Sequence, residues 1–235
     1  MKKILIYSFL IYSVLPNIHF RYISKKVMKN VSADDKRIAF TFDDGPDPRY
    51  TPQLLDVLKK NDVKATFFVL GEKAKNNPEL IRRIVEEGHT IGLHANRHIC
   101  APFHSYKTIK NDMNTSHSLL KNMGIKVGLY RPPWGLVHIA SQGLIRKYKF
   151  KSVLWSIHAS DWSRYVDENH IVKTLTEKVK PGDIILLHDG RGAENAPQRT
   201  INALRTALPV MKRQGYHFVK LVEEHTVASL KGGKT

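Results

Sequence analysis

Cys100 is the only cysteine among 235 residues, so the chain has no internal disulfide. A lone thiol with neither a second cysteine nor a local acid–base partner is read as inert, even one lying close to a histidine pair. Internal repeats and low-complexity tracts are also absent, which excludes a solenoid or a disordered array. Acidic residues are scarce: 21 Asp plus Glu stand against 38 Lys plus Arg, a net charge of +17. Residues 1–36 hold seven basic and two acidic side chains, leaving 31 basic and 19 acidic, a net +12, for the rest. Such a surface attracts polyanions, with anionic wall polymers and a membrane surface as the leading candidates. The basic residues are scattered rather than gathered in a stripe with interleaved aromatics, and no nucleic-acid motif is present, so nucleic acid is not an expected partner. Nothing points to a protein partner, and a monomer is expected.

The apolar run near the N-terminus falls short of the roughly 20 residues of a bilayer-spanning helix unless residues 16–22 are recruited to it. Lys2 and Lys3 precede an apolar stretch at 4–15, the pattern of a secretory signal or short anchor. A small-x-small cleavage site does not follow, and Arg21, Lys25, Lys26 and Lys29 lie just beyond it. An uncleaved anchor or surface-associated segment is therefore expected over residues 1–34, linker included, with the protein anchored at or secreted into the cell envelope. Residues 35–225 form one domain, within the size of a single hydrophobic core, and 226–235 a basic tail.

Within the domain, strand-like and helix-like stretches alternate. Apolar strands are expected at 38–42, 65–70, 89–94, 127–131, 152–156, 183–187 and 216–221. Between them fall helical patterns that start at Thr51-Pro52, with Leu54, Leu55 and Leu58 on one face, and at 77–87, 106–123, 139–148, 168–179 and 197–214. Pro209 should kink or shorten the last helix. Repeated strand–helix units of this kind predict a parallel sheet, and about seven of them an α/β fold of distorted (β/α)7-barrel type. Chemistry in such barrels collects at the C-terminal ends of the strands.

The first strand ends in Thr41-Phe42-Asp43-Asp44-Gly45-Pro46. Adjacent carboxylates at a strand end point in different directions, so one can hold a metal while its neighbour stays free as a base. Alone, the tetrapeptide Asp-Asp-Gly-Pro is as easily a turn. The third strand ends in His94-Ala95-Asn96-Arg97-His98, and two histidines so spaced face one ion if the chain turns helically. With Asp44 they would make a two-His, one-carboxylate set with open positions. Further strand ends carry Arg131-Pro132-Pro133-Trp134, Asp161-Trp162 and Leu186-Leu187-His188-Asp189. Each is an ordinary structural corner when taken singly; their recurrence at one end of successive strands is not.

These five motifs, in this order, resemble those of the polysaccharide deacetylase family, the NodB-homology or carbohydrate esterase family 4 domain, over about residues 35–225. The resemblance implies metal-dependent hydrolysis of acetyl groups from acetylated polysaccharides, N-acetylglucosamine polymers of peptidoglycan or chitin type in particular. It implies that Asp44, His94 and His98 hold a divalent metal, zinc before Co2+, Ni2+ or Mn2+. Asp43 would be the general base, paired with Arg131. His188 would be the general acid, backed by Asp161. Trp134 would offer a backbone N–H to the oxyanion, and Pro133, Trp134, Trp162 and Leu186 would line the acetyl and sugar pocket. The family usually has Ser or Thr where this chain has Ala95, so weaker support of the metal-binding loop is expected. His89, His104, His117, His138, His158, His170, His217 and His225 match no motif and are read as structural or solvated. Two other readings remain: a non-catalytic wall-binding homologue, suggested by Ala95 and the basic surface, and a hydrolase of a non-sugar amide.

Overall fold

The computed structural model describes residue 7 and residues 10–222. The tail expected at 226–235 and most of the apolar stretch before residue 10 lie outside the described residues. Strands β1 (Arg37–Asp43), β2 (Thr66–Leu70), β3 (Thr90–Ala95), β4 (Leu129–Tyr130), β5 (Lys151–Ser152), β6 (Ile157–His158) and β7 (Ile184–His188) pair in parallel in the order β5-β4-β3-β2-β1-β7-β6. A short β8 (His217–Phe218) pairs with the start of β1. Around this curled half-barrel run α1 (Thr51–Lys60), α2 (Gly71–Asn76), α3 (Pro78–Glu86), α4 (Tyr106–Asn122), α5 (Ile139–Lys147), α6 (Glu168–Lys173) and α7 (Ala196–Arg213).

Strand parity divides each strand between two environments. Ile38, Phe40 and Phe42 of β1, Phe67 and Val69 of β2, Ile91 and Leu93 of β3, and Ile185 and Leu187 of β7 face the helices and build the larger core. Each fully buried side chain of this kind stabilises the fold by about 1.5–3 kcal/mol. The alternate residues point into the barrel, where Ala39, Phe68, Leu129, Val153, Ile184 and Leu221 form a second, smaller core. Gly92 shares that inner face because a Cβ there would stand 2.5 Å from the Phe68 ring. Continuing the inner row toward the C-terminal strand ends brings in Thr41 and Asp43 from β1, His94 from β3 and His188 from β7. Register places Asp43 beside both Phe68 and His188. The apolar inner core thus ends in a polar upper layer.

Three sequence expectations are corrected. Pro209 does not end α7, which runs through it to Arg213. Leu204, Ala207, Leu208 and Met211 are all fully buried on either side of it, and that burial outweighs the roughly 3 kcal/mol cost of an interior proline. The single strand expected at 152–156 is two short ones, β5 and β6, because the chain crosses here from one edge of the sheet to the other. The helix α2 was not foreseen; with six residues and Gly71 at its start, it carries too little periodicity to be seen.

Residues 13–31, which the sequence reading sets before the domain, pack upon it. The Asn17 side chain donates to the Val137 carbonyl and accepts from the Val137 N–H, both at 2.7 Å. Phe20 is buried with Val27, Val137 and Leu154. Met28 bridges to Val153 and Asn30 to Asp183, so this stretch covers the opening between β5 and β7. Among the described residues no helix is long and apolar enough to cross a membrane.

Candidate active site

The upper layer is organised around Arg131, which has no exposed surface. Its Nη1 donates to Asp43 Oδ1 at 2.7 Å and to Thr41 Oγ1 at 2.8 Å, and its Nη2 to the Leu154 carbonyl at 3.1 Å. The guanidinium lies 4.1 Å over the Phe68 ring, a cation–π contact out of reach of water. A buried cation of this kind is tolerated only with an anion and further hydrogen bonds, and here it fixes Asp43 through Oδ1, leaving Oδ2 without a hydrogen bond and 3.8 Å from His94 Nε2.

Asp44 follows in the left-handed region, φ 73°, a conformation that Asp accepts more readily than most residues. The turn carries its carboxylate to His94 and His98: Oδ1 lies 3.4 Å from His94 Nε2 and 3.3 Å from His98 Nε2. The His94 Nδ1 is 2.7 Å from the Arg131 carbonyl. A carbonyl only accepts, so Nδ1 carries the hydrogen and the Nε2 lone pair of the neutral ring points at Asp44. Lone pair and carboxylate then face one another across a buried gap that only a cation fills well. Asp44 Oδ1 has no hydrogen-bond partner of its own. One ligand atom from each of the three residues falls within 4.8 Å of the others, so the donor set fits a divalent ion.

The charge states show how strongly this gap calls for positive charge. Burial opposes both ionised forms, but Asp43 and Asp44 raise the His94 pKa, and His94 and His98 hold the Asp44 pKa well below the carboxylate range, so with no ion between them a proton on His94 fills the cation's place. Burial, with His94 and Arg191 nearby, pulls His98 down to about 4 against the opposing pull of Asp44. His98 therefore keeps a neutral ring at neutral pH, the form that binds metals.

Across the cleft, His188 Nδ1 lies 2.9 Å from Asp161 Oδ1. The other Asp161 oxygen accepts from the His188 N–H at 2.8 Å and from Thr200 Oγ1 at 2.9 Å. Burial opposes protonation of His188, yet the charge and hydrogen bond of Asp161 win, with Asp43 and Asp44 adding to them, and raise it to about 9. At neutral pH the ring is an imidazolium, with Nδ1–H committed to Asp161 and Nε2–H free.

Trp134, Trp162 and Leu186 line the cleft. Trp134 is half exposed, adopts φ 55°, and sets its ring edge-on to His98 at 4.0 Å between centroids. As a residue of the short 3-10 turn Pro133–Gly135, its N–H has no acceptor within that turn. Pro133 does not reach the cleft; it is buried on the other side, against a small cavity shared with Ala95, Ile99 and Tyr130. Conversely, His158, read from the sequence as structural or solvated, does line the cleft, together with Trp155, Arg21 and Arg191. His89 fits the structural reading: its Nδ1 accepts from the Ala65 N–H at 3.1 Å. Cys100 is half-buried, and burial raises its pKa away from the reactive thiolate.

Several supporting residues have no motif to betray them. The metal-binding loop after Ala95 is held by Asp112 of α4, whose two oxygens accept from the Asn96 N–H at 2.8 Å and the Arg97 N–H at 3.0 Å. Asp112 therefore supports the loop at the two residues after Ala95, whose side chain has no hydroxyl to do so. Lys73 donates to the Asp44 carbonyl at 2.8 Å and to the Gly190 carbonyl at 2.5 Å, tying the first motif to the last. Thr51 Oγ1 donates to Asp189 Oδ2 at 2.6 Å. Replacing Asp112 by Ala frees two loop N–H groups, and metal affinity is expected to fall roughly 10–100-fold, the scale for a group that orients a ligand. Chelator competition measures this; an unchanged affinity would mean that the loop holds itself.

A carboxylate and two imidazoles converging on one gap, beside one oriented carboxylate and one protonated imidazole, are the equipment of a hydrolase that works with a divalent ion. The family model described as polysaccharide deacetylase matches residues 30–153. A peptidoglycan-N-acetylglucosamine deacetylase of Bacillus cereus is 39% identical over 195 residues, covering 82% of this chain and 90% of the relative. A chitooligosaccharide deacetylase of Bradyrhizobium is 33% identical over 207 residues, covering 81% and 91%. Among solved structures, that of the Bc1960 peptidoglycan N-acetylglucosamine deacetylase superposes with a TM-score of 0.77 at 32% identity, covering 83% of this chain and 91% of that one. This chain belongs to the polysaccharide deacetylase family.

Proposed function

We propose that the protein hydrolyses acetyl groups from N-acetylated cell-envelope glycans, with peptidoglycan-type strands ahead of chitin-like oligomers, and that it works at the envelope. The observation that carries this is the convergence of Asp44, His94 and His98 between two oriented acid–base pairs, Asp43 with Arg131 and His188 with Asp161. The relatives named above support the glycan. Exposed Leu10, Ile11, Tyr12, Leu15 and Ile18 support a surface location.

Two imidazoles and a carboxylate suit zinc best among divalent ions. Asp44, His94 and His98 would hold a divalent ion, which would supply Lewis acidity to the acetyl carbonyl and lower the pKa of a water to about 7. Asp43 Oδ2 takes the proton of the attacking water, while Arg131 holds Oδ1 so that the free oxygen keeps its direction. Trp134 N–H meets the developing oxyanion. His188 Nε2–H gives its proton to the sugar nitrogen as the carbon–nitrogen bond breaks, and Asp161 keeps the remaining Nδ1–H in place. Trp162 and Leu186 exclude water around the acetyl methyl. A wall-binding protein without chemistry has no use for two buried acid–base pairs, and this supports the enzyme over that reading.

Acetate release from peptidoglycan strands, chitin oligomers and acetylated xylan, before and after chelation, tests the proposal. Chelator-sensitive release from the N-acetylated glycans is expected; release from none of them would refute it. The pH dependence carries a further expectation. His188 acts in its protonated form, and against burial the Asp161 charge and hydrogen bond do most to raise its pKa, so activity is lost as pH rises through that value. Asp161→Asn removes the largest raising charge, leaving burial opposed only by the more distant Asp43 and Asp44, so the alkaline limb of kcat/KM moves to lower pH. A limb that stays in place would assign it to another group.

A further inference from the structure

Two cations in the cleft have no part in the chemistry above. Arg21 comes from the helical turn His19–Ile23, ahead of β1, and its guanidinium lies 5.1 Å over the Trp155 ring. The side chain is half-buried, and the reciprocal Asn17–Val137 hydrogen bonds and buried Phe20 hold its backbone against the cleft rim. Gly135, at φ 68°, leaves it room: a Cβ there would stand 3.2 Å from Arg21 Nη1. Arg191 enters the same cleft from the loop after β7, beside Trp162 and Gly192.

The ion pairs among the described residues involve neither Arg21 nor Arg191. Asp43 already has Arg131 as its counter-charge, and Asp44 belongs to the metal cluster, so neither needs these cations. A neutral sugar that covered the cleft would strip water from two guanidiniums and return no charge to them, which is costly. A substrate carrying a carboxylate would repay that cost, because the planar fork of a guanidinium matches a carboxylate in two parallel hydrogen bonds.

We propose that Arg21 and Arg191 form a carboxylate-recognising subsite that selects acetylated glycans bearing an acid group close to the acetamide being cleaved. The inference rests on the deacetylase reading and makes the N-terminal stretch part of the substrate cleft. A saccharide with an ether-linked or ring carboxylate, or with a short acidic stem, has this chemistry.

The test uses the full, metal-loaded chain on two forms of one glycan: acetylated strands with free carboxylates, and the same strands with those carboxylates converted to amides. Wild type is expected to favour the free acid roughly tenfold in kcat/KM, the scale of one charge-assisted hydrogen bond. Arg21→Ala and Arg191→Ala should each remove most of that preference, and Arg21→Lys should retain part of it. Equal rates of wild type on both forms, or an Arg21→Ala loss of the same factor on both, would overturn the subsite and leave the deacetylase reading intact. If no glycan releases acetate, the deacetylase reading itself fails. Calorimetric binding of the two forms to wild type and Arg21→Ala then decides the subsite separately: carboxylate-dependent binding that the variant loses sustains it, and charge-independent binding overturns it.

Discussion

Asp43→Asn is expected to cut acetate release to between roughly a hundredth and a ten-thousandth of the wild-type rate, the range for loss of a positioned general base, while leaving the metal in place. The substitution keeps the shape of the side chain. Its amide oxygen can still accept from Arg131 Nη1, which holds Asp43 Oδ1 at 2.7 Å, so the buried cation retains a hydrogen bond. What is lost is the basicity of the second oxygen. The three proposed ligands, Asp44, His94 and His98, remain untouched. The variant should therefore bind one equivalent of metal and turn over poorly. Near-normal turnover would remove Asp43 from the role of base, and parallel loss of metal and activity would make it a ligand instead.

His188→Ala should show a loss of similar size, roughly 10²–10⁴-fold, but one that depends on the leaving group. A sugar amine departs only with a proton, and Nε2–H of the imidazolium faces the cleft because Nδ1 is tied to Asp161 at 2.9 Å. An aryl acetate leaves without that proton. The variant should therefore be crippled on N-acetylated glycans and far less affected on an activated acetate ester. An equal loss on both would show that His188 binds or positions the substrate rather than protonating it.

The contrast between what the sequence reveals and what it hides follows from the range of each interaction. Asp43, His94 and His188 are readable because strand parity is local: each stands on the inner side of a strand at its C-terminal end, and a period of two residues is visible in the chain itself. His94 and His98 are readable for the same reason, being four residues apart. Asp112 is invisible, because its value lies in two hydrogen bonds to a loop 15 and 16 residues away, and an Asp inside a helix looks like any solvated acid. Thr200 and Thr51, which bond to Asp161 and Asp189 across 39 and 138 residues, are hidden in the same way. In the sequence Arg21 reads as the flank of an anchor because local composition around it is apolar and basic; only the docking of Asn17 and Phe20 brings it into the cleft. Pro209 misleads in the opposite direction, since a strong local rule is overridden by tertiary packing that no window of sequence contains.

Zinc-edge anomalous diffraction from crystals of the zinc-loaded chain tests the metal cluster most directly. A single strong peak is expected among an Asp44 carboxylate oxygen, His94 Nε2 and His98 Nε2, about 2.0–2.2 Å from each. A fully active, chelator-resistant protein with no peak there would contradict the account.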